Sequence, residues 1–177
     1  MHRHVDGAWT RNLIRKLREQ VPGVVLRTTM IVGHPGETED EFDELIDFVR
    51  EARFERLGAF TYSEEEGTFG AEHYDDSLPQ QEKDTRLNAL MSLQSGISLE
   101  FNQSRVGSVE RVLVDDYVDG VMVCRSQYES PDVDGEILAR YDASVAGVPA
   151  ESLVGKFIEV EINGADAYDL SAEIIGI

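Results

Sequence analysis

An α/β segment followed by a small all-β barrel is the fold this sequence predicts, and three observations predict it. Apolar residues at helical spacing alternate with β-branched runs in the first hundred residues, five short alternating segments follow Gly107, and acidic charge gathers in that second region. The 177 residues carry 16 Lys+Arg against 35 Asp+Glu, a net charge of −19. Residues 1–56 contribute −2, residues 57–106 contribute −6 and residues 107–177 contribute −11. A hydrophobic content of 41% is that of an ordinary folded protein, with length enough for a sizeable core. The domain boundary is expected at about 105–107, dividing residues 1–106 from 107–177.

Thr10 opens the first helical pattern, with Leu13, Ile14, Leu17 and Val21 on its apolar side, and Pro22-Gly23 stops it. Residues 24–33, VVLRTTMIVG, form a near-continuous β-branched run ended by the turn His34-Pro35-Gly36. Such a run predicts a strand covered on both faces, as in a parallel sheet. Thr38-Glu39-Asp40-Glu41 is a capping box, and the carboxylates between Glu37 and Glu41 suit the positive end of the helix that follows. Phe42, Leu45, Ile46 and Val49 give that helix its apolar face, and residues 56–63, RLGAFTYS, are a second strand. Helix, strand, helix, strand is the order of a parallel sheet; two strands are too few for a stable one, so either more strands are missing from this chain, the favoured reading, or it pairs with another copy.

Residues 64–77 read as a polar loop. A long helix is expected from Pro79, with Leu87, Leu90, Met91, Ile97 and Phe101 as its core stripe and Gly96 a weak point worth about 1 kcal/mol. Beyond Gly107 come VERVLVD, VMVCRSQY, EILARY, KFIEVEI and AYDLSAEIIG. Turn clusters at Asp119-Gly120, Ser130-Pro131, Val133-Asp134-Gly135, Gly147 with Pro149, and Asn163-Gly164 separate them. Five short antiparallel strands are best closed into a barrel, which leaves no exposed edge.

The single cysteine, Cys124, allows no intramolecular disulfide and no site built from several thiolates; in an alternating strand it reads as a small buried hydrophobe. No signal-peptide run opens the chain, and no stretch of about 18 apolar residues marks a membrane helix, so the cytoplasm is expected. His2 and His4 form an H-x-H with no third ligand in view, and His34 reads as part of a surface turn.

The stretch LRTTMIVGHPGETEDEFDELIDFV closely resembles the fifth strand and following helix of radical S-adenosylmethionine enzymes. RLGAFTYSEEEGT resembles their methylthiotransferase branch, in particular the members acting on ribosomal protein S-twelve, and INGADAYDLSAEI resembles the last strands of a TRAM domain. One local departure is Glu64, where the family has proline. The resemblance implies the last βα units of a partial TIM-like barrel followed by a five-stranded, antiparallel, OB-like TRAM barrel, from the C-terminal part of a longer enzyme to which Met1 is internal. It implies S-adenosylmethionine and two 4Fe-4S clusters in the full-length parent. The cluster cysteines, a C-x-x-x-C-x-x-C motif and three more in an N-terminal domain, are absent here. This chain is therefore expected to hold no cluster or other metal, to carry no catalytic residue, and to be inactive alone.

In that family the strand matching RTTMIVG lines the cofactor pocket. Ile31 matches the branched side chain that packs on adenine, and Gly33 the glycine that lets the backbone approach. Arg27 and Thr29 are candidates for the ribose or the methionine carboxylate, since ligands sit at the C-terminal ends of parallel strands. Phe60, Thr61 and Tyr62 are candidates for the adenine edge or the substrate mouth, the amphipathic Tyr62 suiting a wet cavity. Plainer readings stand beside these: core packing for Ile31 and Phe60, the turn for Gly33, an internal salt bridge for Arg27. Glu64-Glu65-Glu66 is a solvated loop or a guide for a basic substrate.

A TRAM barrel or a related fold suggests RNA binding, which needs basic grooves and stacking aromatics. Residues 107–177 have only Arg111, Arg125, Arg140 and Lys156 against 15 carboxylates, so phosphate is repelled even with Tyr117, Tyr128, Tyr141 and Tyr168 available to stack. The complementary partner is a basic one, ribosomal protein S-twelve, held by an attraction that weakens with salt. Asp115, Asp116, Asp119, Asp132 and Asp134, all in loops, are the candidate docking face. Direct nucleic-acid or membrane binding is not expected. The rival readings are a fragment of a tRNA methylthiotransferase and a free-standing acidic interaction module.

Overall fold

The computed structural model describes residues 5–76 and 78–177, apart from the side chains of residues 144 and 145; His2 and His4 lie outside it. Two compact units divide between Gln94 and Ser95, inside one long helix.

In the first unit, α1 (Gly7–Gln20) begins before the expected Thr10, because the Asp6 side chain caps it by accepting from the Trp9 N–H at 2.7 Å. β1 (Arg27–Val32) and β2 (Arg56–Thr61) pair in parallel, from Arg27 opposite Arg56 to Val32 opposite Thr61. Between them α2 (Glu39–Ala52) starts on the expected capping box: Thr38 and Glu41 exchange hydrogen bonds, which hold the exposed Glu41 carboxyl below its usual range. β1 is not covered on both faces. Val32 is buried and Thr28 and Met30 half-buried, whereas Arg27, Thr29 and Ile31 are exposed. β-Branching declares a strand but not how many neighbours shield it, and this sheet has two strands.

The stretch expected to be a polar loop contains a short helix, α3 (Phe69–His73), capped by Thr68; one turn is too brief to show a period. In α4 (Gln80–Ser104), Leu90 and Ile97 are buried as expected, and Leu87, Met91 and Phe101 are half-buried. The rest of the buried face is polar: Lys83, Arg86 and Gln94 in the first unit, Ser98 and Asn102 in the second.

In the second unit β3 (Val109–Val118), β4 (Val121–Arg125), β5 (Ile137–Arg140), β6 (Phe157–Ala165) and β7 (Leu170–Gly176) close a barrel in the order β3-β4-β5-β7-β6. Four pairings are antiparallel and one, β5 with β7, is parallel. A closed ring with an odd number of strands cannot alternate direction throughout, so a barrel expected to be wholly antiparallel must contain such a pair. Asp119 and Gly120, both at positive φ, form the two-residue turn from β3 to β4. Val112, Val114, Met122, Ile137, Leu153, Ile158, Val160 and Ile162 fill the interior. Cys124 lies among them, its thiol pushed up to about 12, first by burial and then by the charge of Asp115.

Candidate functional site

Two regions gather the residues singled out by sequence. The first is the open face and C-terminal rim of the β1–β2 sheet. Ile31 and Phe60 are partners in the register and are 52% and 64% exposed, so they form a bare apolar shelf. Thr29 lies opposite Gly58 and Arg27 opposite Arg56 along the same face. The core-packing reading of Phe60 does not describe this sheet.

Gly33 and Tyr62 follow at the rim. Gly33 is buried at φ +73°, and its N–H donates to Glu37 Oε1 at 3.0 Å. A β-carbon there would lie 2.5 Å from Lys83 Cγ, so the turn and this packing together call for glycine. The Tyr62 N–H donates to the Val32 carbonyl at 2.8 Å, carrying the pairing one step past β2.

Sequence reasoning missed what anchors this rim. Lys83 is buried; its Nζ donates to the Tyr62 carbonyl at 3.2 Å and to Asp76 Oδ2 at 2.5 Å, and stands 5.3 Å from the Tyr62 ring centre. Arg86 donates to Glu37 Oε1 at 2.6 Å, to the Glu37 carbonyl at 3.0 Å and to Glu82 Oε1 at 2.5 Å. Burial works against its charge, but Glu37 and Glu82 outweigh this and raise its pKa. Two cations three residues apart on α4 thus hold both strand ends. The available signal was phase: Lys83, Arg86 and Leu90 fall at i, i+3 and i+7.

The second region is a hollow of about 480 Å³ on the barrel, lined by Asp115, Arg125, Asp132, Asp134, Glu136 and Asp169 among others. Arg125 Nε lies 3.0 Å from Asp115 Oδ2. Asp134 accepts from the Ser130 N–H at 2.7 Å, and Asp169 accepts from the Glu136 N–H at 2.9 Å. The hollow therefore unites Asp115, Asp132 and Asp134. Asp119 sits in the β3–β4 turn. Asp115 and Asp116 lie within β3 at a register irregularity, not in a loop as expected, because the strand runs on through both. Asp116 accepts from the Tyr117 N–H, and neither it nor Asp119 lines the hollow. Glu136 and Asp169 were missed, though Glu136 adjoins the Asp134-Gly135 turn.

Glu129, also in the lining, belongs to a buried ion network. Arg105 donates to Glu129 at 2.5 Å and Glu110 at 2.7 Å, and the second Glu129 oxygen accepts from the Ser126 N–H and hydroxyl. Burial pushes the Glu129 carboxyl up, but Arg105 and Ser126 outweigh burial and leave it below its usual range. Among the described residues no group of three or more His, Cys, Asp or Glu is arranged to hold a metal ion, and no helix is long and apolar enough to cross a membrane.

Residues 106–175 match the TRAM domain family. The ribosomal protein uS12 methylthiotransferase RimO of Bacteroides fragilis is 46% identical over 175 residues, 99% of this chain and 39% of that protein. Proteins of the same name from Bacteroides thetaiotaomicron and Cytophaga hutchinsonii are 47% and 45% identical, over 99% of this chain and 39% and 38% of their own lengths. The chain thus spans about two-fifths of the length of these curated relatives.

Proposed function

We propose that this chain, a TRAM-domain homologue of the RimO methylthiotransferases, supplies part of a cofactor pocket and a substrate-docking barrel to an enzyme that adds a methylthio group to the β-carbon of an aspartate in ribosomal protein S-twelve. The observation that carries this reading is the reach of the likeness: 46% identity runs through both units over 99% of the chain. The geometry agrees with it at both regions.

The Ile31–Phe60 shelf suits one face of a planar base, and Thr29 and Arg27 follow it with polar groups for a ribose and a carboxylate. Gly33 and Tyr62 close the rim beside it. When bound, S-adenosylmethionine supplies the hydrogen-abstracting radical of this family's chemistry; this chain's residues bind and orient it. A 4Fe-4S cluster does not fit the residues present. The only cysteine is buried in the barrel with its thiol pushed up to about 12, so cluster ligands must come from residues outside these 177, and this chain alone is inactive.

The barrel hollow suits a cationic side chain of a basic substrate protein, and the net −11 of residues 107–177 disfavours tRNA. The cytoplasm is where such a substrate is met. A titration at about 0.1 M salt tests the assignment. Recombinant ribosomal protein uS12 binds, more weakly as salt rises, and tRNA does not; tight tRNA binding with none to uS12 overturns it.

A further inference from the structure

We propose that the aromatic ledge around α3 is a docking surface for an Arg- and Lys-bearing polypeptide segment. The inference rests on the reading above that the substrate is a basic protein, and it gives the first unit a contact with that substrate separate from the barrel hollow.

Five rings form one continuous chain. His73 stacks on Phe69 with centres 3.9 Å apart and planes within 10°. Phe69 meets Tyr74 edge-on at 5.9 Å, Tyr74 meets His34 at 5.6 Å, and His34 meets Tyr62 at 5.3 Å. The outer end is bare: Phe69 is 59% and Tyr74 47% exposed. The inner end is Tyr62, at the C-terminal end of β2. A run of exposed rings in a folded protein marks a contact surface, because water is a poor neighbour for their faces.

Charge selects the partner. Glu64, Glu65, Glu66, Glu72 and Asp75, all exposed, flank the rings in sequence. No Lys or Arg occurs between Arg56 and Lys83, and Lys83 itself is buried and occupies only the innermost ring, Tyr62. Ring faces bordered by carboxylates hold guanidinium and ammonium groups by cation–π attraction and ion pairing together. RNA bases stack on such rings too, but these carboxylates repel the phosphates that must accompany them. A segment lying on the ledge is led to Tyr62 and the strand ends beside Gly33.

The test is amide-shift mapping on the 177-residue chain with three probes: recombinant ribosomal protein uS12, a short Arg-Gly repeat peptide and a short single-stranded RNA. The peptide and uS12 are expected to shift His34, Phe69, His73 and Tyr74. Phe69→Ala with Tyr74→Ala weakens peptide binding about tenfold. Glu64→Gln, Glu65→Gln and Glu66→Gln together flatten its salt dependence, and unchanged amides of β1 and β2, in the same unit as the ledge, show that each variant is folded there. Peptide affinity unmoved by the double aromatic change, or RNA held on the ledge more tightly than peptide, overturns the proposal. If uS12 shifts barrel amides alone, the ledge is overturned and the methylthiotransferase reading stands. If the peptide occupies the ledge and uS12 binds nowhere, the ledge stands and the uS12 reading fails.

Discussion

Two glycines with opposite surroundings show how much a single methyl group decides. At Gly135 a β-carbon would sit 1.9 Å from the Tyr168 carbonyl oxygen, and backbone cannot step aside as a flexible side chain can. At Gly58, in a strand and on the open face, nothing lies within 4 Å. Gly135→Ala is expected to destabilise the barrel by about 2 kcal/mol or more, whereas Gly58→Ala is neutral or stabilising by about 0.5 kcal/mol. Urea unfolding followed in the two units separates the cases, and equal effects would refute the argument. Glu129 is the residue-scale pH sensor. Its folded carboxyl titrates below its unfolded value of about 4.3, so it contributes stability above that value that is lost as pH falls through the folded value. The urea midpoint of the barrel should fall as pH drops below about 4.3, and less steeply in Glu129→Gln. Parallel slopes for the two proteins would remove Glu129 from the explanation.

At the scale of elements, α4 carries the least expected physics. Its polar buried face is held by specific acceptors: Lys83 by Tyr62 and Asp76, Gln94 by the Phe54 carbonyl at 2.9 Å, Asn102 by the Asp166 and Tyr168 carbonyls at 2.9 and 3.2 Å. Lys83→Met keeps the methylenes against Gly33 but leaves Asp76 without its cation. It should cost about 1–3 kcal/mol and speed hydrogen exchange at Tyr62 while leaving the barrel amides slow. Uniform acceleration in both units would show that Lys83 is not a local anchor. The apolar half of this helix was legible in the sequence, because Leu90 and Ile97 declare themselves by type. Its polar half was not, because Lys and Arg read as solvated by default and only their partners show otherwise. The same limit applies to β1: the β-branched run marks a strand, but not that Ile31 is exposed on a sheet of two strands. The five barrel strands were legible from alternation and turns; parity requires a parallel pair, and the observed strand order puts it at β5–β7. The five candidate docking aspartates all read from sequence as loop residues; only folding shows Asp115 and Asp116 in β3 and gathers Asp115, Asp132 and Asp134 in the hollow, apart from Asp116 and Asp119.

For the molecule as a whole, the question is how much cofactor binding two strands can support. A small-molecule site commonly buries about 70–90% of its ligand, which requires walls on several sides. Here Ile31 and Phe60 offer one wall, each more than half open to water, and the polar groups of Arg27 and Thr29 lie on that same wall. The rim is better built: Lys83 and the Arg86–Glu37 pair already fix Gly33 and Tyr62, so the missing affinity lies in missing contacts rather than in disorder of those present. S-Adenosylmethionine should therefore bind this chain weakly or not at all, and Phe60→Ala should change little. Calorimetry distinguishes the cases. Saturable micromolar binding, lost in Phe60→Ala and Ile31→Ala, would show that the shelf and rim are self-sufficient.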